Sequence, residues 1–366
     1  MMDRSLEGRG TPVGYRMIDR LKVQNFRCFE KIDVHPLSRV NVVVGDNASG
    51  KTAFLESIFL AAAGSPELTI RLRVWRGAEA LQLTRERSSY EELWRELFYK
   101  LDDKRTISAE SIGSMGNSRF IEVLYENGQV TLPLNGEQRS AADSPAIRLI
   151  TFRGKDIAGH EFKTQPEITD KGFVLGMAGE NVPGSFFPST VRASGTETAR
   201  RFSDVSKLNE QGPLIGALKK QFLFLENISV EVEGGQGLLF ATVKGTVRKM
   251  RLGLASAGLE RLVAILVAIQ TNTKGFVLVD EVDSGIHYTK LESLWSVLRA
   301  FSELHQTQLF VSTHSWECLK ALLPTIKKHE SDFRLVHCTR TDKGCVPRLI
   351  AGPNMRAAIE EGIELR

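Results

Sequence analysis

Cysteine is scarce in this chain: Cys28, Cys318, Cys338 and Cys345 are the four among 366 residues. They form no C-x-x-C pair, so neither a disulfide framework nor a cysteine-rich metal site is expected. Long apolar runs are missing too. Stretches such as Leu262 to Ile269 stop well short of the roughly 18 residues that a membrane-spanning helix needs, and no charged-then-apolar leader opens the chain. The expected setting is a reducing cytoplasm, without a membrane partner. A one-sided charge is also absent, since 48 basic against 44 acidic side chains leave a formal +4. That balance permits nucleic-acid contact without requiring it. The basic clusters at 71–76, at Arg192, Arg200 and Arg201, at Lys219 and Lys220, and at 248–251 read first as solvated surface. No internal repeat is present.

What the sequence does contain is a set of short motifs in a fixed order. Gly45, Asp46, Asn47, Ala48, Ser49, Gly50, Lys51 and Thr52 match the phosphate-binding loop G-x-x-x-x-G-K-[ST]. Val40 to Val44 before it reads as a buried strand, and Lys51 to Ala63 after it has helical spacing. Strand, loop and helix together form the context that the motif requires. Polyphosphate needs backbone N–H donors, a helix N-terminus and a reaching cation, and this stretch supplies all three. Lys51 is the candidate cation and Thr52 the candidate Mg²⁺ ligand.

Further on, Phe276 to Val279 is an apolar strand ending in Asp280 and Glu281. An acid at the C-terminal edge of such a strand lies where α/β sheets bind ligands. Asp280 is the candidate to hold Mg²⁺, and Glu281 the candidate to polarise an attacking water. His314 follows the apolar strand 308–312; a lone histidine there is more often a hydrogen-bonded structural residue, but its position downstream of the acidic strand makes it the candidate sensor of the γ-phosphate. Ser256, Ala257 and Gly258 open the apolar helix 259–270. Capping alone already explains a serine at that point. The alternative is that the capped N-terminus receives γ-phosphate bound to a second copy.

The rest of the chain is read more coarsely. Residues 1–16 form a loose tail, 17–64 the first part of a core and 256–366 its second part. Between them, 65–255 reads as an inserted lobe of mixed strands and helices. A helix is expected over 90–98, a hairpin with strands at 120–125 and 130–134, a strand at 147–152, a helix at 214–225 and a second hairpin at 228–243. A helix over 315–323, stopped by Pro324, and an edge strand at 334–338 close the core.

With these residues in place, the chain resembles the ABC-type ATPases of the RecF/SMC branch, and within it the OLD-like ATPases found in bacterial phage-defence systems. Leu21 to Phe29 is similar to that family's opening L-x-x-x-N-F-[RK]-x-F, and the resemblance places Arg27 among the nucleotide contacts. Residues 45–52 then correspond to Walker A, 276–281 to Walker B, Ser284 to His287 to the D-loop, and 312–315 to the switch-histidine segment. The resemblance implies an α/β P-loop fold with a mostly parallel central sheet, an N-terminal antiparallel β lobe and an inserted α/β lobe. It further implies ATP and Mg²⁺ as cofactors and a homodimer or higher homo-oligomer clamped around nucleotide.

Three departures accompany the resemblance. Ala48 replaces a usual glycine. Residues 254–258 keep only the serine and glycine of the transporter signature L-S-G-G-Q. The Q-loop glutamine has no clear counterpart, with Phe186 to Thr190 and Arg192 as occupants of that place. About 50 residues follow His314, too few for the Toprim nuclease of full-length OLD proteins. The expected activity is ATP hydrolysis driving a switch that acts on a partner effector or on DNA. An ATP-held scaffold with negligible turnover and a transporter's nucleotide-binding subunit stay open as alternatives.

Overall fold

A computed structural model of the protein describes residues 17–64, 94–128, 147–169, 172–174, 179–189 and 194–363. The tail 1–16, the strand expected at 130–134, the cluster at 71–76, Thr190 and Arg192 lie outside the described residues. In chain order, β1 (Ile18–Phe26), β2 (Phe29–Val34) and β3 (Val40–Val44) lead into α1 (Lys51–Ala63). There follow β4 (Ile107–Gly113), β5 (Ser118–Gly128), β6 (Ile147–Lys155), β7 (Glu161–Thr164), β8 (Glu167–Thr169), β9 (Gly172–Val174) and β10 (Gly184–Phe187). Next come α2 (Gly195–Lys207), α3 (Gln211–Gln221), β11 (Leu225–Glu233), β12 (Gln236–Val243) and β13 (Met250–Arg251). The chain closes with α4 (Leu252–Ala255), α5 (Ala257–Thr271), β14 (Phe276–Val279), α6 (Leu291–His305), β15 (Gln308–Ser312), α7 (Trp316–Ala321), α8 (Leu323–Ile326), β16 (Phe333–Thr341), β17 (Gly344–Ala351) and α9 (Gly352–Glu360).

Two six-stranded sheets organise these elements. One runs β2-β1-β4-β5-β6-β7 and is antiparallel throughout. The other runs β10-β14-β15-β3-β16-β17, parallel except for the antiparallel edge strand β17. Strands from 65–255 are therefore divided rather than gathered into one lobe. β4 to β7 complete the antiparallel sheet begun by β1 and β2, β10 edges the parallel sheet, β8 and β9 pair with each other, and β11 to β13 form a separate three-stranded sheet against α2.

Several sequence-based boundaries shift for identifiable reasons. β5 runs on through Glu126 to Gly128 and pairs with β6, so the described residues of the expected turn are extended strand. The 334–338 strand is not an edge, because β17 pairs along its outer side. Pro324 does not end α7; it occupies the first turn of α8, where its missing N–H is not needed. The expected helix at 90–98 persists only at Trp94 and Arg95 within the described residues, and Phe98 bridges to Phe26 instead. The hairpin at 228–243 forms with a two-residue turn, Gly234 and Gly235, both at positive φ (59° and 78°), which suits the twist of the flanking strands.

The core has two layers, one on each face of the parallel sheet. Val43, Leu278, Phe310 and Val336 face α1 and the antiparallel sheet. Val42, Val44, Val279, Val311 and Leu335 face α5, α6, α7 and α9. This alternation is the period-two signature of strands buried on both sides. Helix α1 lies between the two sheets and buries Ala53 through Ala62 without a break, so its apolar residues form no single stripe. Among the described residues, no helix is long and apolar enough to cross a membrane.

Gln308 joins the sheets. It is 1% exposed, donates to the carbonyls of Ile18 and Ser38 at 2.8 Å each, and accepts from Ile18 N at 2.8 Å. Gln308→Ala leaves three buried backbone groups without these partners and should cost about 3 kcal/mol, read as a lower urea midpoint at unchanged slope. A second test concerns Asp156. Burial opposes its charge, but N–H bonds from Glu180, His160 and Ala158 outweigh that and hold its carboxyl below the usual aspartate range. The resulting stabilisation is present above the unfolded-state value of about 3.9 and is lost as pH falls through the lower folded-state value. Asp156→Asn should flatten the decline of thermal midpoint below about pH 4, and an unchanged decline would refute this assignment.

Candidate nucleotide site

The glycine loop joins the C-terminal end of β3 to the N-terminus of α1. Gly45 (φ 140°) and Gly50 (φ 99°) hold conformations closed to side chains. A Cβ on Gly45 would also lie 2.2 Å from the Cys338 carbonyl. Ala48 sits at φ 59°, the left-handed region, which explains why glycine is usual there. Asp46, Asn47 and Ala48 are exposed, and Ser49 is buried with its amide on the Asp46 carbonyl at 3.2 Å. Lys51 Nζ donates to the carbonyls of Gly45 and Asp46 at 2.8 Å each, so the ammonium arches over the loop.

Asp280 follows β14 and is 4% exposed. Its Oδ2 accepts from Thr52 Oγ1 at 2.9 Å and from Ser189 Oγ at 3.2 Å, and its Oδ1 accepts from Ser312 Oγ. The loop threonine, the strand acid and two serines thus converge at the ends of adjacent strands. Such an all-oxygen group suits a hard divalent cation. Glu281 turns away because its φ is 50°. Three bonds hold that unfavourable backbone: Ser312 Oγ accepts from Glu281 N at 2.9 Å, and Arg261 Nη2 donates to the carbonyls of Asp280 and Glu281 at 2.7 and 3.0 Å. Burial lowers the pKa of the Arg261 guanidinium, against the nearby acids Asp280, Glu281 and Asp283. The exposed carboxylate of Glu281 lies 3.7 Å from His314 Nδ1, across from β15.

Of the remaining sequence candidates, Ser256 and Gly258 are placed apart. Ser256 caps α5, accepting from Leu259 N at 3.3 Å. Gly258 is buried, and a Cβ there would lie 2.4 Å from the Gly285 carbonyl, so close packing against the Ser284–His287 segment demands glycine. Neither residue lines the cleft above Lys51. Arg27 does line it, and its Nε lies 3.2 Å from the buried Glu56 carboxylate of α1.

That cleft has a volume of 1040 Å³ and is bounded by the loop, by Arg27 and Cys28, by 96–101 and by the β16–β17 turn. Sequence reasoning missed Ser189, Arg261 and Ser312 as bonded neighbours of the acids, although Ser189 and Ser312 stood inside segments already singled out. Arg340, whose Nη1 donates to the Ala48 carbonyl at 3.2 Å, lies in no motif and carried no signal.

A glycine loop after one parallel strand, an acid pair after another and a histidine after the strand between them define a P-loop ATPase of the ABC type. The chain belongs to the RecF/RecN/SMC N-terminal domain family, whose profile matches residues 17–328. A Helicobacter pylori protein named ATP/GTP phosphatase is 23% identical over 94% of this chain and 98% of its own length. The DNA replication and repair protein RecF of Nitrosococcus oceani is 40% identical over a local 68 residues, 18% of this chain and 19% of that one. A Pyrococcus furiosus Smc head domain, solved with an extended coiled coil and bound to the C-terminal domain of ScpA, is 12% identical over 95% of this chain and 99% of that one, with a TM-score of 0.49.

The loop geometry makes a direct prediction. Ala48→Gly should raise stability by about 0.5–1 kcal/mol by releasing the left-handed alanine. Gly45→Ala should collapse it, and equal melting curves for the two variants would contradict the loop conformation.

Proposed function

We propose that the chain is an ATP-hydrolysing switch in which two copies enclose nucleotide. The observation that carries this reading is the contact between Thr52 and Asp280, with Glu281 and His314 facing each other beside it. In this reading the loop amides and Lys51 bind the β- and γ-phosphates, and Arg27 contributes from the floor of the cleft. Thr52 and Asp280 would hold Mg²⁺, which would neutralise charge on the phosphates. Glu281 draws a proton from the attacking water, and His314 hydrogen-bonds the γ-phosphate. Ser256, at the N-terminus of α5, serves the nucleotide of the second copy, with Gly258 setting the helix against the D-loop. The exposed Leu254 and Tyr288 flank that N-terminus and support an opening toward a partner.

Placement in the OLD-like branch, with its antiviral setting, belongs to the same proposal. So does an effector or DNA as the object of the switch, contacted through β11 to β13 and their exposed turn with Lys244 and Arg248.

Phosphate release by wild type against Glu281→Gln tests the chemistry: a fall of at least 100-fold is expected, on the scale of a lost positioning base. Equal rates near background would favour the scaffold reading instead. Light scattering tests the assembly, since ATP should double the mass of Glu281→Gln, and an unchanged mass would remove the enclosed-nucleotide dimer.

A further inference from the structure

Ser312 closes β15, the strand between β14 and β3, and is fully buried. Its surroundings are fixed from both sides. The Ser312 carbonyl accepts from Val282 N at 3.0 Å, and the next amide, Thr313 N, donates to the Val43 carbonyl of β3 at 3.1 Å. Thr313 Oγ1 in turn donates to the Asp283 carboxylate at 2.7 Å. The end of β15 is therefore tied both to the strand that enters the glycine loop and to the turn that carries the acids.

The Ser312 hydroxyl lies between those acids. A backbone N–H can only donate, so the 2.9 Å bond from Glu281 N occupies a lone pair of Oγ, and the single hydroxyl proton is left for Asp280 Oδ1. The two ends depend on it unequally. Asp280 also holds Thr52 and Ser189 on Oδ2, which keep its carboxylate in place. The peptide unit between Asp280 and Glu281 is gripped at two atoms: Arg261 Nη2 takes its carbonyl at 2.7 Å, and Ser312 Oγ takes its N–H. Rotation of that plane changes φ of Glu281, which stands at 50° in a region disfavoured for any residue with a side chain. Such a rotation would swing the Glu281 carboxylate away from its place 3.7 Å from His314 Nδ1. Without the hydroxyl, the plane is held at the carbonyl alone and a buried N–H loses its acceptor.

We propose that Ser312 is a positioning residue for Glu281: its hydroxyl locks the peptide plane from which the Glu281 carboxylate projects, and so sets the rate of hydrolysis without contributing to nucleotide affinity. This rests on Glu281 acting on the attacking water, as in the function proposed above.

Single-turnover hydrolysis of ATP by the full chain, paired with titration of fluorescent mant-ATP, tests it. Ser312→Ala should slow hydrolysis by about 10- to 100-fold, the scale of a catalytic group displaced by an ångström, with the Kd for mant-ATP within threefold of wild type. Ser312→Cys fills the same space with a weakly bonding thiol and should fall nearly as far, which also keeps the test open should the alanine variant not fold. Introduced into Glu281→Gln, Ser312→Ala should slow the residual rate less than twofold further, because the group it positions is already gone. Losses that multiply in the double variant overturn this inference, as does a Kd that rises in step with the lost rate. A wild-type rate in Ser312→Ala or Ser312→Cys overturns it too, and with Glu281→Gln slow leaves the ATPase reading standing. A wild-type rate in Glu281→Gln removes Glu281 as the base and this inference with it.

Discussion

Helix α1 is enclosed by protein along ten consecutive residues, and the site depends on that confinement. A helix carrying the glycine loop on its N-terminus transmits any tilt directly to Lys51 and Thr52. Both ends are fixed by buried arginines from the antiparallel sheet. At the C-terminal end, Arg119 is fully buried and donates to the carbonyls of Ala61 and Gly64 at 3.0 and 2.7 Å, satisfying groups that a helix terminus leaves open. Nearer the loop, the Arg27 and Glu56 pair ties the β1–β2 turn to the helix. Buried ion pairs contribute little net stability after desolvation, so the contribution here is one of position.

The acid pair obeys a related constraint. Asp280 is turned inward by three hydroxyl donors, whereas Glu281 faces outward on a backbone that no ordinary residue prefers. Arg261 holds both carbonyls from α5, the helix that begins at Ser256. One guanidinium therefore connects the surface proposed to meet a second copy with the residues proposed to act on water. A shift of α5 along its axis would be felt first in the backbone of the acids, before any change in the loop.

The parts legible in sequence were those set by local chemistry. A strand running into a glycine loop and a helix can be read directly at 40–63, and apolar runs ending in Asp280 or Ser312 mark buried parallel strands. Long-range pairing was not legible. Nothing local says that β5 pairs with β6, or that the 334–338 strand gains an outer neighbour in β17, because those choices depend on which edges remain free once the sheets assemble. Arg340 was invisible for the same reason. Its role comes from the β16–β17 hairpin folding back across the loop, some 290 residues away in the chain.

The division of 65–255 between sheets bears on how such a chain can vary. β4 to β7 cannot be exchanged freely, since they supply Arg119 and the layer beneath α1, and substitution there is constrained by the motor. The segment from α2 to β13 meets the rest mainly through α5 and through the bond from Arg201 to Ser185 at 2.8 Å. It reaches the glycine loop and the acids only indirectly, through the apolar face it shares with α5, so changes on its outer surface leave them in place. Diversification among relatives should therefore concentrate in that small sheet, while the larger part of the same long interval changes no faster than the glycine loop it supports.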